Sequence, residues 1–223
     1  MPADATDEEG FFRSNGLSVA FFTFGLLSVV GQAVTGFSAY NSSLVESHLP
    51  IVSFITYLGT GTFLDGICSN WQAAVLQLGM LISLASFLRQ RGAAHSLKPK
   101  EEGGHKGDQS SDSKMGKGSG RGWLYDHSLS LAFCGLFLLF LGLHAIMGAR
   151  KNAEDELLRH NAPATFSQYL HSANFLFSLA QTWEAEFFVM GVYLLLSISL
   201  REFGSSESKP SDSSNQETGE VNE

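Results

Sequence analysis

Long uncharged apolar blocks constrain this chain more than any other feature of its sequence. The blocks at 17–37 and 129–147 are 21 and 19 residues long and contain no Asp, Glu, Lys or Arg. At a rise of about 1.5 Å per residue, about 20 helical residues cross the ~30 Å hydrocarbon layer of a bilayer. Two shorter blocks, 73–88 and 187–200, each follow a tryptophan, a residue enriched at membrane–water boundaries. The sequence therefore predicts four membrane-spanning helices, at about 17–37, 71–88, 129–147 and 183–200.

The average composition hides these blocks. A hydrophobic content of 44% and a net charge of −8 are values typical of a soluble domain, but the charge is concentrated in the two ends and the middle of the chain. A soluble bundle of buried helices is the main alternative, and it is disfavoured because too little amphipathic sequence remains to cover four apolar helices. A cleaved signal peptide is disfavoured for the first block, since the leading segment is acidic and the same block recurs in mid-chain.

An internal duplication appears when the chain is compared with itself at an offset of 112 residues. Identities in this ungapped register include Trp, Tyr, His and Gly, so shared apolar composition does not explain them. Matched pairs include Tyr57 with Tyr169, His48 with His160, Trp71 with Trp183, Gly36 with Gly148 and Gly92 with Gly204. We therefore predict an all-α membrane protein built from two tandem units, each containing two spans.

Because each unit has an even number of spans, both units enter the membrane from the same side and are parallel repeats. The loop between the two spans of each unit is predicted to contain a short helix lying at the outer membrane surface, with a re-entrant segment as the alternative. The predicted organisation is an acidic disordered N-terminus (1–10), the first unit (11–92), a basic disordered linker (93–121), the second unit (122–204) and an acidic disordered tail (205–223).

Lys and Arg set the expected orientation. The segment 89–121 carries eight of the 14 basic residues, whereas the first outer loop, 38–70, carries none. Both termini and the linker are therefore predicted to be cytoplasmic. The same segment, 89–121, has an excess of four positive charges, which would attract anionic lipid headgroups, although a solvated tether explains the same composition.

Polar side chains within or beside the spans are the candidates for a functional site, because such groups are costly in lipid. The predicted topology places five of them near the outer end of the bundle: Gln32, Gln72, His144, Glu184 and Glu186. One interpretation is a small site in which a proton or cation is exchanged, and the other is hydrogen bonding between helices. The predicted interfacial anchors are Trp71, Trp123 and Trp183.

Several function classes have no support in the sequence. No nucleotide-binding, metalloprotease or nucleophile-elbow motif occurs, so neither catalysis nor a cofactor is expected. Metal binding is not expected either, since no two histidines fall at i, i+4 and the two cysteines are far apart, Cys68 beside a predicted outer boundary and Cys134 early in the third span. The negative net charge and the sparse basic linker argue against nucleic-acid binding.

The repeated motifs resemble those of a bacterial family of duplicated membrane proteins that is classed as a domain of unknown function. The resemblance covers about 11–209 and rests on Leu-Ser-Leu at the start of a span, the segments 70–72 and 183–187 around the tryptophans, and Leu-Arg-Gln-Arg-Gly at 88–92. It implies a bacterial cytoplasmic membrane and no known activity. It also implies an acid in both units at the position of Glu186, but the first unit has Ala74 there.

These observations favour a small membrane interaction or envelope-maintenance protein that contacts the lipid bilayer and associates with itself or with other membrane proteins. The alternative is a transporter or channel subunit that uses the polar residues at the outer end of the bundle. Enzymatic activity is not expected.

Overall fold

A computed structural model of the chain describes residues 11–88, 90–93, 96 and 120–216. The predictions for 1–10, for most of the linker and for the end of the tail lie outside these residues. The described residues form eight helices: α1 Phe11–Ser14, α2 Gly16–Glu46, α3 Phe54–Leu58, α4 Gly61–Ala85, α5 Gly120–Asp126, α6 Ser128–Leu158, α7 Phe166–Leu170 and α8 Ala173–Ser199.

Four of these helices, α2, α4, α6 and α8, are long and apolar enough to cross a membrane, with 31, 25, 31 and 27 residues. The predicted fold class, an all-α protein with four membrane-spanning helices, is confirmed. The helices extend beyond the apolar blocks, because helix-compatible polar sequence follows or precedes them. In α6, the continuation after Met147 is rich in Ala, Glu, Leu, Arg and Lys, which are strong helix formers.

The duplication is visible in the backbone. Helices α3 and α7 begin and end 112 residues apart, and so do the last residues of α2 and α6. Two histidines, His48 and His160, adopt φ values of 58° and 59°, which are rare for residues other than glycine. Each follows a long helix and occupies the left-handed position that commonly ends one. The matched histidines therefore form equivalent helix ends.

Within each unit, a tyrosine of the short helix packs against a glycine of the preceding long helix. Tyr57 lies against Gly36, and Tyr169 lies against Gly148, so closely that a Cβ atom on either glycine would overlap the tyrosine hydroxyl. Burial, with a smaller contribution from the charge of Asp65, raises the pKa of Tyr169 to about 12. The Tyr169 hydroxyl is therefore neutral at physiological pH.

The two units meet mainly where α4 of the first unit packs on α6 of the second. At one end of this contact the backbones touch, because a Cβ atom on Gly61 would collide with the backbone of Arg150 and Lys151. Further along, Gly79 faces Phe133, whose Cβ atom would lie 3.2 Å from a Cβ atom on the glycine. Helix α8 also contacts α4, and the Gln77 side chain donates a hydrogen bond to the carbonyl oxygen of Glu186 at 2.9 Å.

Candidate functional site

A group of polar side chains lies between α4, α6 and α8, and we call it the buried polar cluster: Asp65, Gln72, His144, Lys151 and Ser178. The His144 Nδ1 atom is 3.3 Å from the Gln72 Oε1 atom, and the Nε2 atom is 3.2 Å from the Ser178 hydroxyl. The Asp65 carboxylate accepts a 3.3 Å hydrogen bond from the Lys151 ammonium group. The cluster therefore connects the two units and three of the long helices.

Helical periodicity explains why these residues meet. Asp65 and Gln72 are seven residues apart on α4, and His144 and Lys151 are seven apart on α6. Seven residues make about two helical turns, so each pair shares one face of its helix. When the two faces pack, both polar positions on α4 lie opposite both polar positions on α6.

The burial of the cluster makes its hydrogen bonding energetically important. His144 and Gln72 have no exposed surface, and Asp65 is 5% exposed. A buried polar group without a partner costs about 1–3 kcal/mol, and a buried charge costs more. The cluster therefore favours one arrangement of α4 on α6 over any arrangement that separates these partners.

The orientation of the Gln72 amide sets the tautomer of His144. With the amide oxygen toward the ring, as in this structure, the Nδ1–H group donates to Gln72, and the Nε2 atom of the neutral ring accepts from the Ser178 hydroxyl. The Asp65 Oδ1 atom lies 3.6 Å from this Nε2 atom, which is within reach of an ion pair but beyond a hydrogen bond. A second proton on His144 would therefore be placed beside a carboxylate.

Charged side chains on the extension of α6 hold the first turn of α4. The Glu154 carboxylate accepts hydrogen bonds from the backbone N–H groups of Gly61 and Thr62, at 2.7 and 3.1 Å, and from the Thr62 hydroxyl. A carboxylate is favourable there because the start of a helix has free N–H groups and a partial positive charge. The Arg150 guanidinium donates to the carbonyl oxygen of Gly59 at 2.9 Å.

Replacement of Glu154 by alanine is expected to lower the free energy of unfolding by about 0.5–2 kcal/mol, the range measured for loss of helix-capping side chains. The measurement is unfolding of the purified protein in mild detergent, followed by circular dichroism. The neighbouring Asp155→Ala variant is the matched control, because the Asp155 side chain is in no hydrogen bond to α4 within the described residues. Equal effects of the two substitutions would refute the capping role.

The structure brings two of the five predicted site residues together and leaves the other three apart from them. Gln72 and His144 are bonded to each other, as described above. Gln32 lies beside Gly66 on α4, with its Nε2 atom 2.7 Å from the position of a Cβ atom on the glycine. Glu184 is exposed on α8, and Glu186 is half-buried. The two glutamates have no side-chain hydrogen bond to His144 in the described part of the chain.

The predicted tryptophan anchors occupy different surroundings. Trp71 packs edge-on against Phe140 of α6, and Trp123 lies near the ring of His127, and both are about half exposed. Trp183 lies beside Phe137, and its buried indole N–H has no hydrogen-bond partner within the described residues.

Three members of the cluster were missed by sequence reasoning: Asp65, Lys151 and Ser178. Asp65 falls before the predicted second span, and Lys151 falls after the predicted third one. Both lie in the long helices, because α4 begins before the predicted second span and α6 ends after the predicted third one. The seven-residue spacing from Asp65 to Gln72 and from His144 to Lys151 was the signal that could have identified them.

The arrangement is suited to holding helices together and to holding a proton. Two buried atoms of the cluster, the Asp65 Oδ1 and Gln72 Nε2 atoms, lack a hydrogen-bond partner among the residues described. Across those same residues, no group of three or more His, Cys, Asp or Glu side chains is placed to hold a metal ion.

Comparisons with known proteins give one result. No curated protein and no solved structure matches the chain. A family model described as a domain of unknown function, DUF6766, matches residues 8–220. The chain is therefore a multi-pass membrane protein that belongs to the DUF6766 family.

Proposed function

We propose that this protein is a small interaction or envelope-maintenance protein of the bacterial cytoplasmic membrane, with both termini and the linker in the cytoplasm. The observation that carries the proposal is the position of the buried polar cluster. Its ionisable side chains are used in contacts between the two units, where His144 of α6 meets Gln72 and Asp65 of α4. A cluster so placed fixes the relative position of the units and leaves the exposed faces of α2 and α8 available to partners.

The orientation rests on the charge distribution. Basic residues concentrate in the linker segment 89–121, and the first outer loop has none. A reporter enzyme that is active only in the cytoplasm, fused after Glu223, is expected to be active. The same reporter inserted in the first outer loop, directly after Pro50, is expected to be inactive.

A transporter or channel subunit is the second candidate, and a specific observation favours it. The Asp65 Oδ1 and Gln72 Nε2 atoms are buried without hydrogen-bond partners in the described residues, beside a histidine. Ionisable groups in this setting are typical of proton relays. In this interpretation Asp65 and His144 would exchange a proton with each other.

Flux measurements separate the two candidates. Proteoliposomes with an entrapped pH-sensitive dye are expected to show no proton flux above that of protein-free vesicles, because the cluster is used for helix packing. The Asp65→Asn and Glu184→Gln variants are expected to behave identically to the unmodified protein. Flux that is abolished by Asp65→Asn and retained by Glu184→Gln would establish the transporter.

The interaction role has its own test in cells. Deletion of the gene is expected to increase sensitivity to osmotic or detergent stress, and the unmodified chain is expected to restore resistance. The His144→Leu variant, which disrupts the contact between the units, is expected to restore it poorly even at equal abundance in the membrane. Full resistance of the deletion strain would remove the envelope-maintenance role.

A further inference from the structure

The duplication allows each helix face to be compared with its counterpart 112 residues away. On α4, which packs on α6, Cys68, Ser69 and Gln72 are all buried, and Gln72 meets His144 of α6. The counterparts on α8 are Ala180, Gln181 and Glu184, and all three are exposed. None of the most apolar 18-residue window of α8 is buried. The positions of α8 that correspond to the α6-facing side of α4 are therefore exposed in this chain.

Helix α2 differs from its counterpart α6 in the same way. On α6, the residues that face α4 include Ser130, Phe133 and Phe137, all half-buried. Their counterparts Ser18, Phe21 and Gly25 on α2 are exposed, with Phe21 at 69%. The contact between α4 and α6 therefore uses one face of each unit, and the equivalent faces at the two ends of the chain are open.

The open faces are chemically complementary. The Gln72–His144 pair of the α4–α6 contact corresponds to Glu184 on α8, which is exposed, and Gln32 on α2, which is half-buried beside Gly66 of its own unit. A glutamine amide N–H donates readily to a carboxylate, and a charge-assisted hydrogen bond is stronger than a neutral one. Phe133, which fits over Gly79, corresponds to Phe21, and Gly79 corresponds to Gly191, which has no atom within 4 Å of a Cβ position.

Lipid alone is a poor occupant for these faces. Gln181 and Glu184 are exposed on either side of Trp183, at the outer boundary of the predicted span. The hydrocarbon beside this boundary offers them no hydrogen bond, whereas a neighbouring helix can satisfy them. The occupant should therefore be a helix that offers a hydrogen-bond donor and an aromatic ring at the spacing that α2 presents.

We propose that α8 of one copy packs on α2 of a second copy of this chain and repeats the α4–α6 contact between molecules. Glu184 of one copy then accepts a hydrogen bond from Gln32 of the other, and Phe21 lies over Gly191. The contact is head-to-tail and joins parallel units, so it can continue from copy to copy in the plane of the membrane, and it closes into a ring when the rotation between neighbours divides a full turn. This inference rests on the proposed interaction role and specifies its partner.

Cysteine cross-linking tests the contact. Two differently tagged chains, both carrying Cys68→Ala and Cys134→Ser, are co-expressed, one with Phe21→Cys and the other with Gly191→Cys. Oxidation of the membranes is expected to give a covalent dimer that carries both tags, at least tenfold more abundant than in the control. In the control, Thr23→Cys replaces Phe21→Cys, which moves the thiol by about 200° around α2 at nearly the same depth.

The equivalent pair of positions in the α4–α6 contact within one chain is the positive control for disulfide formation. Gly79→Cys and Phe133→Cys in one chain are expected to close a disulfide, because the two Cβ positions are 3.2 Å apart and bridged cysteines need about 3.8 Å. If this pair closes and the dimer with both tags is missing, the proposal is overturned. Equal dimer from Phe21→Cys and Thr23→Cys also overturns it, because random collision would give that result.

A further variant carries Phe21→Cys and Gly191→Cys in the same chain. If oxidation joins the two cysteines within that chain, α8 packs on its own α2 and the proposal is overturned. The product would be a monomer that no longer reacts with a thiol-specific polymer reagent. Cross-linking failure refutes the second copy as partner but leaves the flux and deletion results unchanged. Those experiments alone decide the proposed function.

Discussion

Replacement of His144 by leucine is expected to lower the free energy of unfolding by about 3 kcal/mol, which falls in the range for breaking a buried polar network. Leucine fills most of the space but makes no hydrogen bond. The Gln72 Oε1 atom and the Ser178 hydroxyl lose their partner, and the buried Asp65 Oδ1 atom faces an apolar side chain where the His144 Nε2 atom stood 3.6 Å away. The measurement is unfolding by titration with a denaturing detergent, followed by circular dichroism.

The duplication provides the matched control for this variant. The first unit carries Gln32 where the second carries His144, so His144→Gln places a residue at this position that the fold already accepts in its twin. An amide can donate to Gln72 and accept from Ser178, and we expect at least half of the lost stability to be retained. A leucine variant as stable as the unmodified protein would show that the cluster does not hold the units together.

The architecture was predictable because its causes are local. Uncharged blocks of about 20 residues leave few alternatives to a membrane span, and the offset of 112 residues fixes the equivalence of the units. Helix ends were less predictable, since hydropathy marks where the apolar sequence stops and not where the helix stops. Helix α6 continues to Leu158 because its polar residues are strong helix formers.

The site was predictable only in part. Gln72 and His144 were identified because isolated polar residues stand out within apolar blocks. Their pairing with Asp65 and Ser178 depends on which unit packs on which, and periodicity within a single helix does not contain that information. Glu184 and Glu186 have equally conspicuous sequence positions, yet neither side chain bonds to His144 within the described residues: Glu184 is exposed, and Glu186 meets α4 through its backbone carbonyl, which accepts from Gln77.

A second large effect is expected at the point where the backbones of α4 and α6 touch. A methyl group on Gly61 would overlap the Lys151 backbone nitrogen and lie 2.6 Å from the carbonyl carbon of Arg150. Backbone atoms move only if a whole helix moves. Gly61→Ala is therefore expected to cost about 3 kcal/mol, the upper part of the range for overpacking, and to weaken the Glu154 cap that depends on the same approach.

The control for Gly61→Ala is Gly142→Ala on α6, since a Cβ atom at Gly142 meets nothing within 4 Å. Alanine is a better helix former than glycine by about 1 kcal/mol, so this control should unfold at the same temperature as the unmodified protein or a higher one. The same assay in mild detergent measures both variants. If Gly61→Ala were no less stable than Gly142→Ala, the two helices would not approach each other this closely, and the geometry of the polar cluster beside them would have to differ.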